Sequence, residues 1–255
     1  MITQERRDGR LTLIIDDPDK RNPLSNETMG ALLAAVRSAS NDPSRRVIVI
    51  TGAGDRTFSA GGDLSGGFVD DPLGLHDARG AFADLFRAMR TCRQPIIARV
   101  NGHALAGGFG LAAACDIVVA VDDAEFGMPE VTVGLWPMMI TAVVQRVVPR
   151  RAALELMLTG RRISASEAKD LGLVSRVVPR AELDDAIDDV VEALTGASAV
   201  QLALGKRAFY AVEDMDLDTA LDHLQAGLTA VAMTDDAAEG VAAFAEKRLP
   251  RWTGR

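Results

Sequence analysis

Two β-branched apolar runs, Arg46-Val47-Ile48-Val49-Ile50-Thr51-Gly52 and Pro95-Ile96-Ile97-Ala98-Arg99-Val100-Asn101-Gly102, each lead into a glycine cluster. The first cluster is Ser59-Ala60-Gly61-Gly62-Asp63-Leu64 and the second is Ala106-Gly107-Gly108-Phe109-Gly110. Such runs read as buried strands feeding glycine turns. Glycine allows a sharp turn and lets backbone N–H groups approach a ligand that a side chain would hold off. Met128-Pro129-Glu130 follows, and the three motifs together look like an active site.

The rest of the pattern agrees with a layered chain. Leu11-Thr12-Leu13-Ile14-Ile15 reads as the first strand, and Asn26 to Ser38, with Met29, Leu32, Leu33 and Val36 at helical spacing, as an amphipathic helix. Strands and helices alternate to about residue 195, the pattern of an α/β domain. From Ser198 onward helical periodicity dominates, including Leu217 to Thr234 and Asp236 to Leu249. A length of 255 residues with 48% hydrophobic content fits one large unit, 1–195, with a smaller helical appendage, 196–255.

Two backbone donors from separate turns that converge on one oxygen form an oxyanion hole, which stabilises charge developing on a carbonyl. The second cluster runs into Leu111-Ala112-Ala113-Ala114, of high helix propensity, so its glycines are expected at a helix N-terminus, where free N–H groups favour an anion. A glycine-rich strand-to-helix turn also serves tight packing alone, and either cluster by itself leaves both readings open.

Charge and cysteine content narrow the alternatives. The net charge of −8 argues against nonspecific nucleic-acid binding, which needs clustered Lys and Arg. No apolar run is long enough to cross a membrane, and the polar opening Met1-Ile2-Thr3-Gln4-Glu5-Arg6-Arg7 lacks the apolar stretch of a signal peptide, so a cytoplasmic location is expected. Cys92 and Cys115 have neither metal-ligand nor redox spacing and read as packing residues. His76, His103 and His223 are isolated and receive neither metal nor catalytic roles.

The order and spacing of the motifs resemble the crotonase family, the enoyl-CoA hydratase/isomerase superfamily. The resemblance runs through Pro18-Asp19-Lys20-Arg21-Asn22-Pro23-Leu24, Phe58 to Leu64, Val100 to Leu111, Ala124 to Glu130, Leu158-Thr159-Gly160 with Ile163-Ser164-Ala165, and Gly172-Leu173-Val174. It covers nearly the whole chain. It implies a spiral of ββα repeats with a C-terminal helical region that forms trimers or pairs of trimers. It further implies an acyl-CoA thioester substrate whose carbonyl is held by the N–H groups of Gly62 and Gly107. Contacts to the substrate are implied for Lys20, Arg21, Leu24 and Ala60, and Asp63 matches a position that helps hold the first glycine turn and the nucleotide end of CoA; Trp136 is a candidate acyl contact outside the family pattern. Phe244 and Lys247 resemble the residues of the C-terminal helix that reach the adenine and 3′-phosphate. CoA is part of the substrate, and no separate cofactor or metal is expected. The polar stretch Asp70 to Asp77 reads as a loop over the acyl site.

One departure bears on the reaction. Hydratases of this family typically carry two glutamates, one in the second glycine cluster and one in the Pro-Glu motif. This chain has Gly110 at the first position and Glu130 at the second. Adding water is served by two positioned acid/base groups, whereas moving a double bond needs one base that takes a proton from C2 and returns it to C4. Burial against an apolar acyl site is expected to raise the pKa of Glu130 towards a useful range. The expected function is therefore an enoyl-CoA isomerase, with an enoyl-CoA hydratase or lyase as the alternative. A thioester hydrolase and an inactive acyl-CoA-binding protein remain further readings. A second departure follows Glu130: where many hydratases have a glycine-rich turn opening the next helix, this chain has Trp136-Pro137-Met138-Met139-Ile140. Trp136, Met138 and Met139 are expected either to make that wall apolar or to serve as ordinary core.

Overall fold

A computed structural model describes residues 1–63 and 73–255 of the chain. A six-stranded sheet forms its base, with strands β1 (Ile2–Arg7), β2 (Arg10–Ile15), β4 (Val47–Gly52), β7 (Ile96–Val100), β9 (Ile117–Val121) and β12 (Arg176–Val178) in that spatial order. All neighbours are parallel except β1 and β2. Every residue of β4 is buried, which is why its sequence is a continuous apolar run rather than an alternation. β2 alternates buried and half-buried positions, and β1 is a largely exposed edge.

The hairpin to β1 was not among the expected strands. Its signal is Asp8-Gly9, both in the left-handed region at φ 47° and 81°, the geometry that two-residue hairpins favour. The charged side chains of β1 masked its pattern and suit an edge strand, where they discourage further pairing.

A second sheet sits on the first, with strands β11 (Arg162–Ser164), β10 (Glu125–Gly127), β8 (His103–Leu105) and β5 (Thr57–Ser59) in spatial order. A short ladder joins β3 (Pro23–Leu24) to β6 (Gly61–Gly62). The pairs β4 and β5, β7 and β8, and β9 and β10 each send their first strand to the large sheet and their second to the small one. A helix follows each pair: α2 (Gly74–Thr91), α3 (Gly107–Ala113) and α4 (Met138–Val147). This is the spiral of ββα repeats.

Helices cover the outside. Ser25 caps α1 (Asn26–Ser40) by accepting from the Thr28 N–H, and α1 buries Met29, Leu32, Ala35, Val36 and Ala39. α2 lies against it with Phe82, Leu85, Phe86 and Met89 turned inward. Residues 70–72 of the polar stretch expected as a loop fall outside the described residues. Gly74 to Asp77 belong to α2 rather than to a loop. α5 (Arg150–Thr159), α6 (Ala165–Asp170) and α7 (Leu183–Thr195) complete this part of the chain.

The C-terminal helices are α8 (Ala199–Ala211), α9 (Leu217–Ala232) and α10 (Asp235–Glu246). Asp116, between α3 and β9, anchors α8. Its carboxylate accepts from Lys206 Nζ at 2.6 Å, from the Tyr210 hydroxyl at 2.8 Å and from the Ile96 N–H at 2.7 Å. Burial, with the neighbouring Asp116 carboxylate, pushes the Tyr210 phenol well above its usual pKa. Arg90 of α2 adds bonds to the Tyr210 carbonyl and to Glu213. Among the described residues no helix is long and apolar enough to cross a membrane.

Candidate active site

Strands β5, β8 and β10 are parallel, so the chain leaves all three at the same edge of the small sheet. That edge receives Ala60–Gly62, Ala106–Gly107 and Met128–Glu130, the three motifs singled out in the sequence. Ligands commonly sit at the carboxyl ends of parallel strands for this reason. The Ala106 N–H donates to the Gly127 carbonyl at 2.8 Å and fixes the second turn to the third.

Gly61 joins the first turn to the second. It has φ +93°, and a Cβ there would lie 2.6 Å from the Ala106 Cβ and 2.8 Å from the Gly107 nitrogen. Only a residue without a side chain allows the two turns to touch. Gly62, the next residue, has no atom of the described residues beyond its chain neighbours within 4 Å of its would-be Cβ. Leu24 is fully buried, pairs with Gly62 through the β3–β6 ladder and places Cδ1 3.3 Å from the would-be Cβ of Gly107. Ala60 is half-buried, and its N–H donates to the Arg21 carbonyl at 3.0 Å.

Gly107 opens α3 as expected. The first-turn N–H groups of Gly107, Gly108 and Phe109 precede any intrahelical acceptor, whereas the Gly110 N–H closes on the Ala106 carbonyl at 3.2 Å. Ala106 itself has φ 51° and ψ −123°, a conformation that costs a non-glycine residue about 1–3 kcal/mol. The bond to Gly127 and the contact with Gly61 hold it there.

Glu130 sits in a 3-10 turn, Pro129–Val133, ended by Gly134 at φ 75°. Its Oε2 is buried and has no hydrogen-bond partner among the described residues. Burial pushes its pKa above the usual 4.5. At the same sheet edge as the two glycine turns, this arrangement places a raised-pKa carboxyl whose Oε2 has no partner among the described residues.

Gly110 is buried on α3, and the residue facing it is Ile140 of α4. A Cβ at position 110 would lie 2.1 Å from Ile140 Cγ2 and 2.5 Å from Ile140 Cβ. Ile140 is 3% exposed. Of the three residues expected to form an apolar wall or ordinary core, Trp136 and Met139 are half-buried against the core, whereas Met138 fits neither expectation: it is 73% exposed, being the first residue of α4 and turned outward. The reading along the chain did not single out Ile140; the available signal was the bulky segment Trp136 to Ile140 where the family resemblance led one to expect a glycine-rich turn.

The residues expected to hold CoA are placed unevenly. Lys20 and Arg21 are exposed beside the first glycine turn, with Lys20 Nζ 3.8 Å from Asp17, while Asp63 is half-buried directly after Gly62. Asn22, buried between them and the sheet, donates to the carbonyls of Ala53 and Thr57 and secures that segment. Phe244 is 87% exposed on α10, and exposed Lys247 follows it; that helix packs mainly on α8 and α9. Within one chain these two residues are not brought to the glycine turns. His103 is structural, its Nδ1 accepting from the Glu125 N–H at 3.1 Å. Cys92 and Cys115 are buried, and burial pushes both thiols upward in pKa.

Comparison with known proteins bears on this arrangement. A family model described as enoyl-CoA hydratase/isomerase matches residues 5–255. A Thermus thermophilus protein provisionally named an enoyl-CoA hydratase is 37% identical over 245 residues, which cover 94% of this chain and 96% of that protein. Carnitinyl-CoA dehydratase of Salmonella paratyphi A is 34% identical over 254 residues, covering 98% and 97%. The crystal structure of an enoyl-CoA hydratase from Mycobacterium smegmatis matches with a TM-score of 0.95 and 35% identity over 98% of each chain.

Proposed function

Because the chain belongs to the enoyl-CoA hydratase/isomerase family, we propose that it shifts the double bond of an enoyl-CoA thioester, with Glu130 as the single proton carrier. The observation that carries this reading is the unpartnered, buried Oε2 of Glu130 set against a glycine at the position of a second acid. The ionised carboxylate takes a proton from C2 of a 3-enoyl-CoA. The electron pair moves onto the thioester oxygen, where the N–H groups of Gly62 and Gly107 stabilise the enolate. When the pair returns, the C2–C3 double bond forms, the C3–C4 π bond opens, and Glu130 delivers the proton to C4. The atoms balance without water, metal or redox partner, so CoA enters only as part of the substrate.

In the same reading Lys20, Arg21 and Asp63 hold the nucleotide end of CoA beside the first turn, and Leu24, Ala60 and Trp136 border the acyl group. Residues 1–195 carry the site. Residues 196–255 assemble a homotrimer or a pair of trimers in the cytoplasm, and Phe244 and Lys247 reach the adenine and 3′-phosphate from a neighbouring copy. Hydration is the second reading, favoured by the hydratase and dehydratase names of the relatives.

Mass spectrometry of products formed in H₂¹⁸O from 2-enoyl-CoA and 3-enoyl-CoA, with the wild type and Glu130→Gln, separates them. The expected result is a mass-neutral double-bond shift that the variant loses. An ¹⁸O-labelled 3-hydroxyacyl-CoA as the main product overturns the isomerase reading in favour of hydration. Release of free CoA indicates a hydrolase, and tight binding without turnover a binding protein.

A further inference from the structure

We infer that Ile140 decides which reaction this site performs: Gly110 and Ile140 form one steric unit that keeps a second carboxylate, and the water it would hold, out of the site. The inference rests on the reading of the site as one that moves protons on an acyl-CoA. Two departures that lie thirty positions apart in the chain, glycine at 110 and a bulky residue at 140, meet face to face between α3 and α4.

The collision is not one that a rotamer change relieves. Rotation about χ1 would swing Ile140 Cγ2 away from its 2.1 Å approach, but it leaves Cβ fixed, and Cβ is itself 2.5 Å from the would-be side chain. Ile140 is buried, so there is no solvent side for it to move to. A glutamate at 110 therefore requires either a displaced α4 or no Cβ at position 140. With α4 in its present place, an isoleucine at 140 in turn requires glycine at 110. The dependence runs one way: glycine at 110 admits the isoleucine, whose side chain then occupies the space that any side chain at 110 would enter. Among the described residues, Glu130 is left as the proposed acid/base of the site.

The experiment compares Gly110→Glu in three backgrounds, wild type, Ile140→Ala and Ile140→Gly, by thermal melting and by product analysis in H₂¹⁸O. Gly110→Glu alone is expected to lower Tm by about 5 °C or more, or to prevent folding, through overpacking. The same change is expected to cost little with Ile140→Gly but to keep most of its cost with Ile140→Ala, because alanine retains the offending Cβ. The Gly110→Glu/Ile140→Gly protein is expected to form ¹⁸O-labelled 3-hydroxyacyl-CoA from 2-enoyl-CoA about a hundredfold faster than the wild type, the lower range for one added acid/base group.

An equal Tm cost in the wild-type and Ile140→Gly backgrounds overturns the steric unit. If Gly110→Glu alone does not fold, failure of Ile140→Gly to restore folding overturns it as well. Stability coupling without any gain in hydration shows that Ile140 packs Gly110 without deciding the reaction, and overturns the inference too. Failure of the isomerase reading is distinct, since it shows as absence of double-bond shift in the wild type, whereas the Tm comparison requires no activity.

Discussion

At Glu130 the burial that raises the carboxyl pKa also weakens the fold. An acid whose native pKa lies above its unfolded value binds a proton in the native state that the unfolded chain has released, so stability falls as pH rises through that interval. Glu130→Gln removes the ionisation. Its Tm relative to the wild type should rise with pH from about the usual 4.5 and level off above the native pKa. Calorimetry over that range checks this, and a pH-independent difference would refute it. Catalysis runs the other way: kcat/KM for the double-bond shift should increase with pH through the same raised pKa, because the base acts ionised. Glu130→Gln should lower it by about 10²–10⁴-fold. The candidacy of this residue was legible in the sequence from its motif and the glycine at 110. Its unpartnered oxygen was not, since that depends on what closes around it.

Between elements, the turns are held by contacts that a short stretch of sequence does not reveal. Gly61 meets Ala106 and Gly107 because β5 and β8 run parallel and end together. Gly61→Ala adds a side chain at φ +93° and into an occupied volume. We expect a loss of about 2–5 kcal/mol from backbone strain and overpacking, measurable by urea unfolding, with activity lost in the fraction that folds. A stable and active variant would show that the two turns do not need this contact. The anchor of α8 offers a second test at this scale. Lys206 is 8% exposed at its side chain, and Asp116, its partner, is 17% exposed. Lys206→Met leaves Asp116 with the Tyr210 hydroxyl and the Ile96 N–H, so the cost should fall at the low end for a broken buried pair, about 3 kcal/mol by urea unfolding. No change in the unfolding midpoint would mean that the pair contributes nothing net. The helix around Lys206 was expected from periodicity, but its partner 90 residues away was not.

For the molecule as a whole, the C-terminal helices leave large apolar side chains uncovered: Leu217, Leu221 and Leu228 on α9, and Val241 and Phe244 on α10. Patches of this kind mark interaction surfaces in soluble proteins. The proposed assembly predicts a sedimentation mass three or six times that of the chain, reduced when Leu221 and Leu228 are both replaced by Glu; a monomeric wild type would refute it. By itself the sequence determined the local elements, namely the buried strands, the glycine turns, the amphipathic α1, the helical C-terminal region and the presence of one carboxylate where two are usual. These are properties of short windows, in which periodicity, capping and backbone sterics act among near neighbours. It missed β1, whose charged side chains hide the alternation, and it read the start of α2 as loop. Only the tertiary structure decided that β5, β8 and β10 deliver their turns to one edge, that Glu130 is half-buried there with its Oε2 enclosed, and that Ile140 closes on Gly110. Each of these depends on atoms distant in the chain being brought within a few ångströms, and burial, collision and pKa shifts exist only once that packing is complete.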